Sequence, residues 1–161
     1  MWNVIKVDVD MKAIEGVKSF FKRYPGELKE AIYDGVQIIA TEIQRKAVEK
    51  LKEHGAIDLG QLWNSINIHR ISSTEVIVGT NVEYAAAVEF GTKGHWLTID
   101  KIPGFRNWMR RHGIDLNKKM KYFYVHPKPK PYMEPAYQEG KELVPGIIRR
   151  EVEAAMLRVE L

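Results

Sequence analysis

Between Glu27 and Glu53, apolar residues recur at Leu28, Ile32, Val36, Ile39, Ile43 and Ala47, the spacing of a single stripe along an α-helix. Glu30, Asp34, Gln37, Thr41, Gln44 and Arg45 fall on the other side. This long two-sided helix constrains the fold more than any other feature, because its apolar stripe needs a covering layer. Glu42 stands four residues before Lys46, the favourable order for a surface ion pair. Gly35 lies inside the helix. It weakens the helix by about 1 kcal/mol relative to alanine, or it admits the close approach of another backbone. His54-Gly55 closes the element.

Around this helix the pattern changes several times. Alternation over Trp2–Asp10 predicts a strand, and Asp10 caps a helix over Met11–Arg23 that Tyr24-Pro25-Gly26 ends. Asp58–Trp63 reads as a capped turn or short helix. Ser65–Ile71 and Glu75–Thr80 read as two strands joined by Ser72-Ser73-Thr74. Val76 and Val78 share one face and Ile77 takes the other, so this strand is covered on both sides. Tyr84–Phe90 reads as a short helix or strand end stopped by Gly91.

Lys93–Val125 reads as an insertion. It holds a two-turn helix over Phe105–His112 and a strand over Lys121–Val125. Phe105, Trp108 and Met109 share a helix face, Arg106, Arg110 and Arg111 sit elsewhere, and Gly113 stops the helix. His126 to Pro131 alternates proline and is extended. A final helix over Glu134–Val159 carries Val144, Ile148, Val152, Ala155 and Val159 as its stripe, with Pro145 expected to kink or restart it. The predicted class is α+β: long helices on one face of a small antiparallel sheet, a C-terminal helix and a projecting insertion. The 161 residues are expected to form one domain, with residues 93–125 inserted in it.

The chain has no cysteine, which removes disulfide frameworks and thiolate chemistry. Its formal charge is +4, and both signs read as spread along the chain. No apolar run reaches the roughly 20 residues that cross a bilayer, and the first residues lack a signal-peptide pattern. A soluble intracellular protein is the expectation.

Candidate chemistry is sparse. His54, His69, His95, His112 and His126 show no metal-ligand spacing. Glu83 and Glu89 bracket an alanine run without a nucleophile or base beside them, so Glu89 is expected to cap or to form a salt bridge at a subunit contact. Gly91, Gly94 and Gly104 lack the residues of a phosphate loop. Arg106, Arg110, Arg111, Lys118, Lys119 and Lys121, interleaved with Trp96, Trp108, Tyr122 and Tyr124, form the most basic region. Such a region either binds nucleic acid by stacking and charge neutralisation, or is a solvated face around a small hydrophobic anchor. The second reading is preferred. Neither a catalytic nor a cofactor or metal site is expected.

Three clusters stand out in order: Gly60, Leu62, Ser65 and Ile66; then Tyr84, Ala85, Glu89, Gly91 and Thr92; then Pro131, Tyr132, Met133, Pro135 and Ala136. In order and spacing they resemble the tail-completion (neck, head–tail joining) family of long-tailed bacteriophages, the gene-ten type of lambda-like phages. The resemblance runs from about Glu27 to the C-terminus. Tyr132 replaces the usual phenylalanine, Leu59 stands where threonine is usual, and Lys93–Lys121 is longer than in compact members.

This resemblance implies a structural, non-enzymatic virion protein of a phage or prophage, made in the host cytoplasm and placed in the neck. It implies contact with other copies in a ring, hexameric in the assembled particle, and with head connector and tail terminator or tail-tube proteins. It implies neither membrane association nor direct nucleic-acid binding. Trp96, Phe105, Trp108, Arg110 and Arg111 are the expected partner-contact residues.

Overall fold

The computed structural model describes residues 5–8, 22, 24–54, 60–102, 104–114 and 120–159. The long helix is α1 (Pro25–Glu53). Proline occupies its first turn, where a missing N–H costs nothing. Glu27 near its start and Lys50 and Lys52 near its end match the helix dipole. Ile32, Val36, Ile39, Ile43 and Ala47 of the predicted stripe are buried, and Leu28 is half-buried at its margin. The helix expected over residues 11–23 falls almost wholly outside the described residues.

Strands β1 (Ile5–Asp8), β2 (Asn67–Arg70) and β3 (Glu75–Gly79) form an antiparallel sheet in the order β1-β3-β2. Ile5 pairs with Val78 and Val7 with Val76 on one side of β3, and Ile68 pairs with Val78 on the other. Val76 and Val78 are fully buried and belong to the core that α1 covers, while Ile77 is half-buried on the opposite face. Between α1 and β2 lies the short α2 (Gly60–Ser65), which puts Leu62 and the following Ile66 into the same core. Gln44, on the side of α1 away from the stripe, donates from Nε2 to the Ile66 carbonyl at 2.6 Å.

After β3 comes α3 (Ala85–Phe90). A second antiparallel sheet follows, a two-stranded ribbon of β4 (His95–Thr98) and β5 (Tyr122–Val125). Between these strands run a 3-10 turn (Ile99–Lys101) and α4 (Phe105–Arg111), which ends at Gly113 with φ +73°. The predicted insertion had the helix and the second strand but not β4. His95-Trp96-Leu97-Thr98 is four residues long with a polar residue at each end, too little pattern to read without its partner.

The last helix, α5 (Met133–Val159), packs antiparallel along α1 and makes the most extensive contact between elements. It continues through Pro145 as one helix and does not restart there. Small residues bring the two helices close, and they do so reciprocally. Ile148 of α5 sits over Gly35, where a Cβ would lie 2.6 Å from its Cδ1. Ile43 of α1 sits over Gly140, where a Cβ would collide with its Cγ1. Lys46 and Lys50 of α1 reach Glu139 of α5 at 2.6 and 3.1 Å. Those two ammonium groups hold the Glu139 carboxyl below its ordinary value.

Candidate partner-binding surface

The three sequence clusters lie at two places, the first cluster at one and the second and third together at the other. At the first, Ser65 Oγ donates to the Leu62 carbonyl at 2.7 Å and lies 2.5 Å from Thr80 Oγ1. Thr80, buried at the end of β3, accepts the Val82 N–H at 3.1 Å. These bonds tie α2 to the sheet. Gly60 begins α2, and a Cβ there would meet the Trp63 ring at an ordinary contact distance.

The second place is organised by Glu89. This carboxylate on α3 is 4 % exposed. Its Oε2 accepts the N–H groups of Tyr132 and Met133 at 2.8 and 2.9 Å, and Oε1 accepts that of Glu134 at 3.0 Å. The first amides of a helix have no partner within it, and a negative charge there also meets the positive end of the dipole. Glu89 is therefore the N-terminal cap of α5, supplied from another element. The expectation is a cap or salt bridge at a subunit contact; the three bonds described are to amides of its own chain.

The proline strap 126–131 is fastened beside this cap. Lys130 N–H donates to the Val88 carbonyl at 2.8 Å and Thr92 N–H to the Pro127 carbonyl at 3.1 Å. His54 Nε2 lies 3.0 Å from the Pro131 carbonyl, joining the strap to the end of α1. Gly91 has φ +68°, and a Cβ there would lie 2.8 Å from the Pro127 oxygen, so both backbone shape and space require glycine.

Ala85, Tyr132 and Ala136 are buried around the cap, Pro135 is half-buried in the first turn of α5, and Tyr84 is partly exposed. The Tyr132 hydroxyl is buried without a hydrogen-bond partner among the described residues. Burial, and then the charge of Glu89, push it above its ordinary range.

The ribbon presents two different faces. Trp96 pairs with Tyr124 across the strands and Thr98 with Tyr122, so these residues share the outer face. Trp96 is 68 % exposed, Tyr122 57 % and Tyr124 50 %. Trp96 and Tyr124 meet edge to face, with centroids 5.1 Å apart. Gly94 makes room for the Tyr124 ring, which a Cβ would strike.

Phe123 points to the inner face, where Phe105 of α4 meets it at 6.3 Å. Phe105 also stacks on Trp108 at 5.7 Å. Ile99 and Met109 are fully buried, yet neither belongs to the core between α1, α5 and the sheet. The ribbon and α4 thus have a small core of their own, and Phe105 is part of it.

The cations of this region are arranged unevenly. Arg106 donates to Asp100 Oδ1 at 3.0 Å and to the Met120 carbonyl at 2.8 Å, which fastens α4 in place. Arg110 reaches Asn107 at 3.1 Å, and both Arg110 and Arg111 are exposed. Charge is also segregated along the chain, contrary to the even spread first read. Residues 91–131 contain ten Lys/Arg and two Asp/Glu, a net +8. Residues 24–90 together with 132–161 contain ten against sixteen, a net −6.

Of the expected contact residues, Trp96 lies on the outer ribbon face and the other four on α4. Tyr122 and Tyr124 complete the outer face. Their alternation with Phe123 carried that signal, but only the partner strand shows which side is wet. Nothing in sequence spacing points Glu89 at amides some 43 residues away.

Residues 15–91 match the family described as "Bacteriophage HK97-gp10, putative tail-component". The match spans α1, α2, β2, β3 and α3 and stops at Gly91, immediately before the ribbon. It contains the first two residue clusters, apart from Thr92; the third, 131–136, lies beyond it. No curated protein and no solved structure matches the chain.

Proposed function

We infer that this chain, whose residues 15–91 match a bacteriophage tail-component family, is a structural protein of the phage or prophage virion neck that joins the filled head to the tail. It works by docking between head connector and tail terminator or tail-tube proteins, with copies of itself arranged in a ring. The family match is the observation that carries this reading. The geometry agrees with it. Glu89, one of the two carboxylates weighed for acid–base work with Glu83, is occupied by three backbone amides and holds two elements together.

Deleting the gene from a phage that carries it tests the reading. Electron microscopy of the lysate should then show full heads and complete tails lying unjoined, restored to whole particles by the protein in trans. Normal joined particles from the deletion would overturn it. So would the absence of tails alone, which places the protein in tail construction.

A further inference from the structure

We propose that the outer face of the β4–β5 ribbon, centred on Trp96, Tyr122 and Tyr124, docks head to tail on the acidic helical body of a second copy of this chain. The proposal rests on reading the chain as an assembly protein, but its test needs no phage particle.

The first ground is the face itself. Three large aromatic side chains stand exposed on one side of a short ribbon, while the opposite side is covered by α4 through Phe105 and Phe123. Tryptophan and tyrosine bury much apolar area for few rotatable bonds and are the residues on which interface energy concentrates. The Trp96–Tyr124 contact and the space above Gly94 hold the rings in place before any partner arrives.

The second ground is charge. Residues 91–131, which project the face, carry +8 and the rest of the chain carries −4, so one copy offers both halves of a complementary pair. The two halves are different surfaces of the same molecule. Their contact is therefore heterologous, the kind that generates rings when its rotation closes.

Nucleic acid fits the face less well. Single strands need rings and cations along one path. Here Arg106 is bound to Asp100 and Met120, and α4 with Arg110 and Arg111 lies on the other side of the ribbon from Trp96.

Sedimentation of the purified full-length chain over a range of concentrations, at low and at high salt, tests the proposal. Self-association is expected at low salt and is weakened by added salt. Trp96→Ala with Tyr124→Ala should weaken it at least about tenfold while circular dichroism and the unfolding midpoint stay unchanged. Tyr122→Glu, at an exposed position, should do the same and guards against loss of fold in the double variant. A chain that is monomeric at every concentration in low salt overturns the proposal, as does association indifferent to these substitutions. A gel shift with a single-stranded oligonucleotide, lost in the Trp96 variant while self-association persists, assigns the face to nucleic acid and overturns it too. None of these failures touches the deletion phenotype, so the neck reading stands or falls separately.

Discussion

At the scale of single residues, Glu89 decides most. Removing its side chain leaves two or three helix-start amides buried without an acceptor. Glu89→Ala should therefore cost about 3 kcal/mol in denaturant unfolding. Glu89→Gln should cost less, because one amide oxygen still accepts. An unchanged midpoint for the alanine variant would show that water replaces the cap. Tyr132 makes the opposite case. Its hydroxyl is buried and has no partner among the described residues, so Tyr132→Phe should be neutral or stabilising by up to about 1 kcal/mol. The folded state favours the neutral phenol. Its contribution is therefore complete below the ordinary value of 10.0 and is lost as pH rises beyond it. Alkaline titration of stability should fall more steeply in the native chain than in Tyr132→Phe. The sequence showed both residues inside motifs, but their contact joins positions too far apart for any periodicity to reveal.

At the scale of elements, the stripe of α1 was legible because one helix face repeats every three to four residues. Its partner was not, since nothing in Gly35 names Ile148. The α1–α5 seam is a double lock in which each helix offers one glycine to the other's isoleucine. Gly140→Ala gains up to about 1 kcal/mol of helix propensity but overpacks the seam by about 1–3 kcal/mol, so a net loss of stability is expected. Combining it with Ile43→Ala should cost less than the sum of the two, a coupling that a double-mutant cycle of unfolding midpoints would read. Strict additivity would mean the helices shift apart. The Lys46–Glu139–Lys50 cluster crosses the same seam. Because Glu139 is held below its ordinary 4.5, its contribution is present above that value and fades as pH falls through the lower folded one. The difference in melting temperature between the native chain and Glu139→Gln should therefore close in acid. A difference that persists there would assign the effect to packing.

At the scale of the whole molecule, the ribbon and the helical body have separate cores. The ribbon leaves and re-enters the body beside one hydrogen bond, from Thr92 N–H to the Pro127 carbonyl at 3.1 Å. Replacing residues 95–124 by a short glycine turn should leave the body cooperatively folded by calorimetry. Loss of the folded transition would show instead that the insertion supports the body. The sequence pattern showed the helix and the second strand of this region, but its first strand emerges only from the pairing and its charge imbalance only once limits are drawn. The cap carries one more consequence, for chains cut short during synthesis. A fragment that stops before Tyr132 owns a carboxylate destined for the interior and none of the amides that would receive it. Such fragments should stay open to proteases, so that only chains carrying the whole last helix persist.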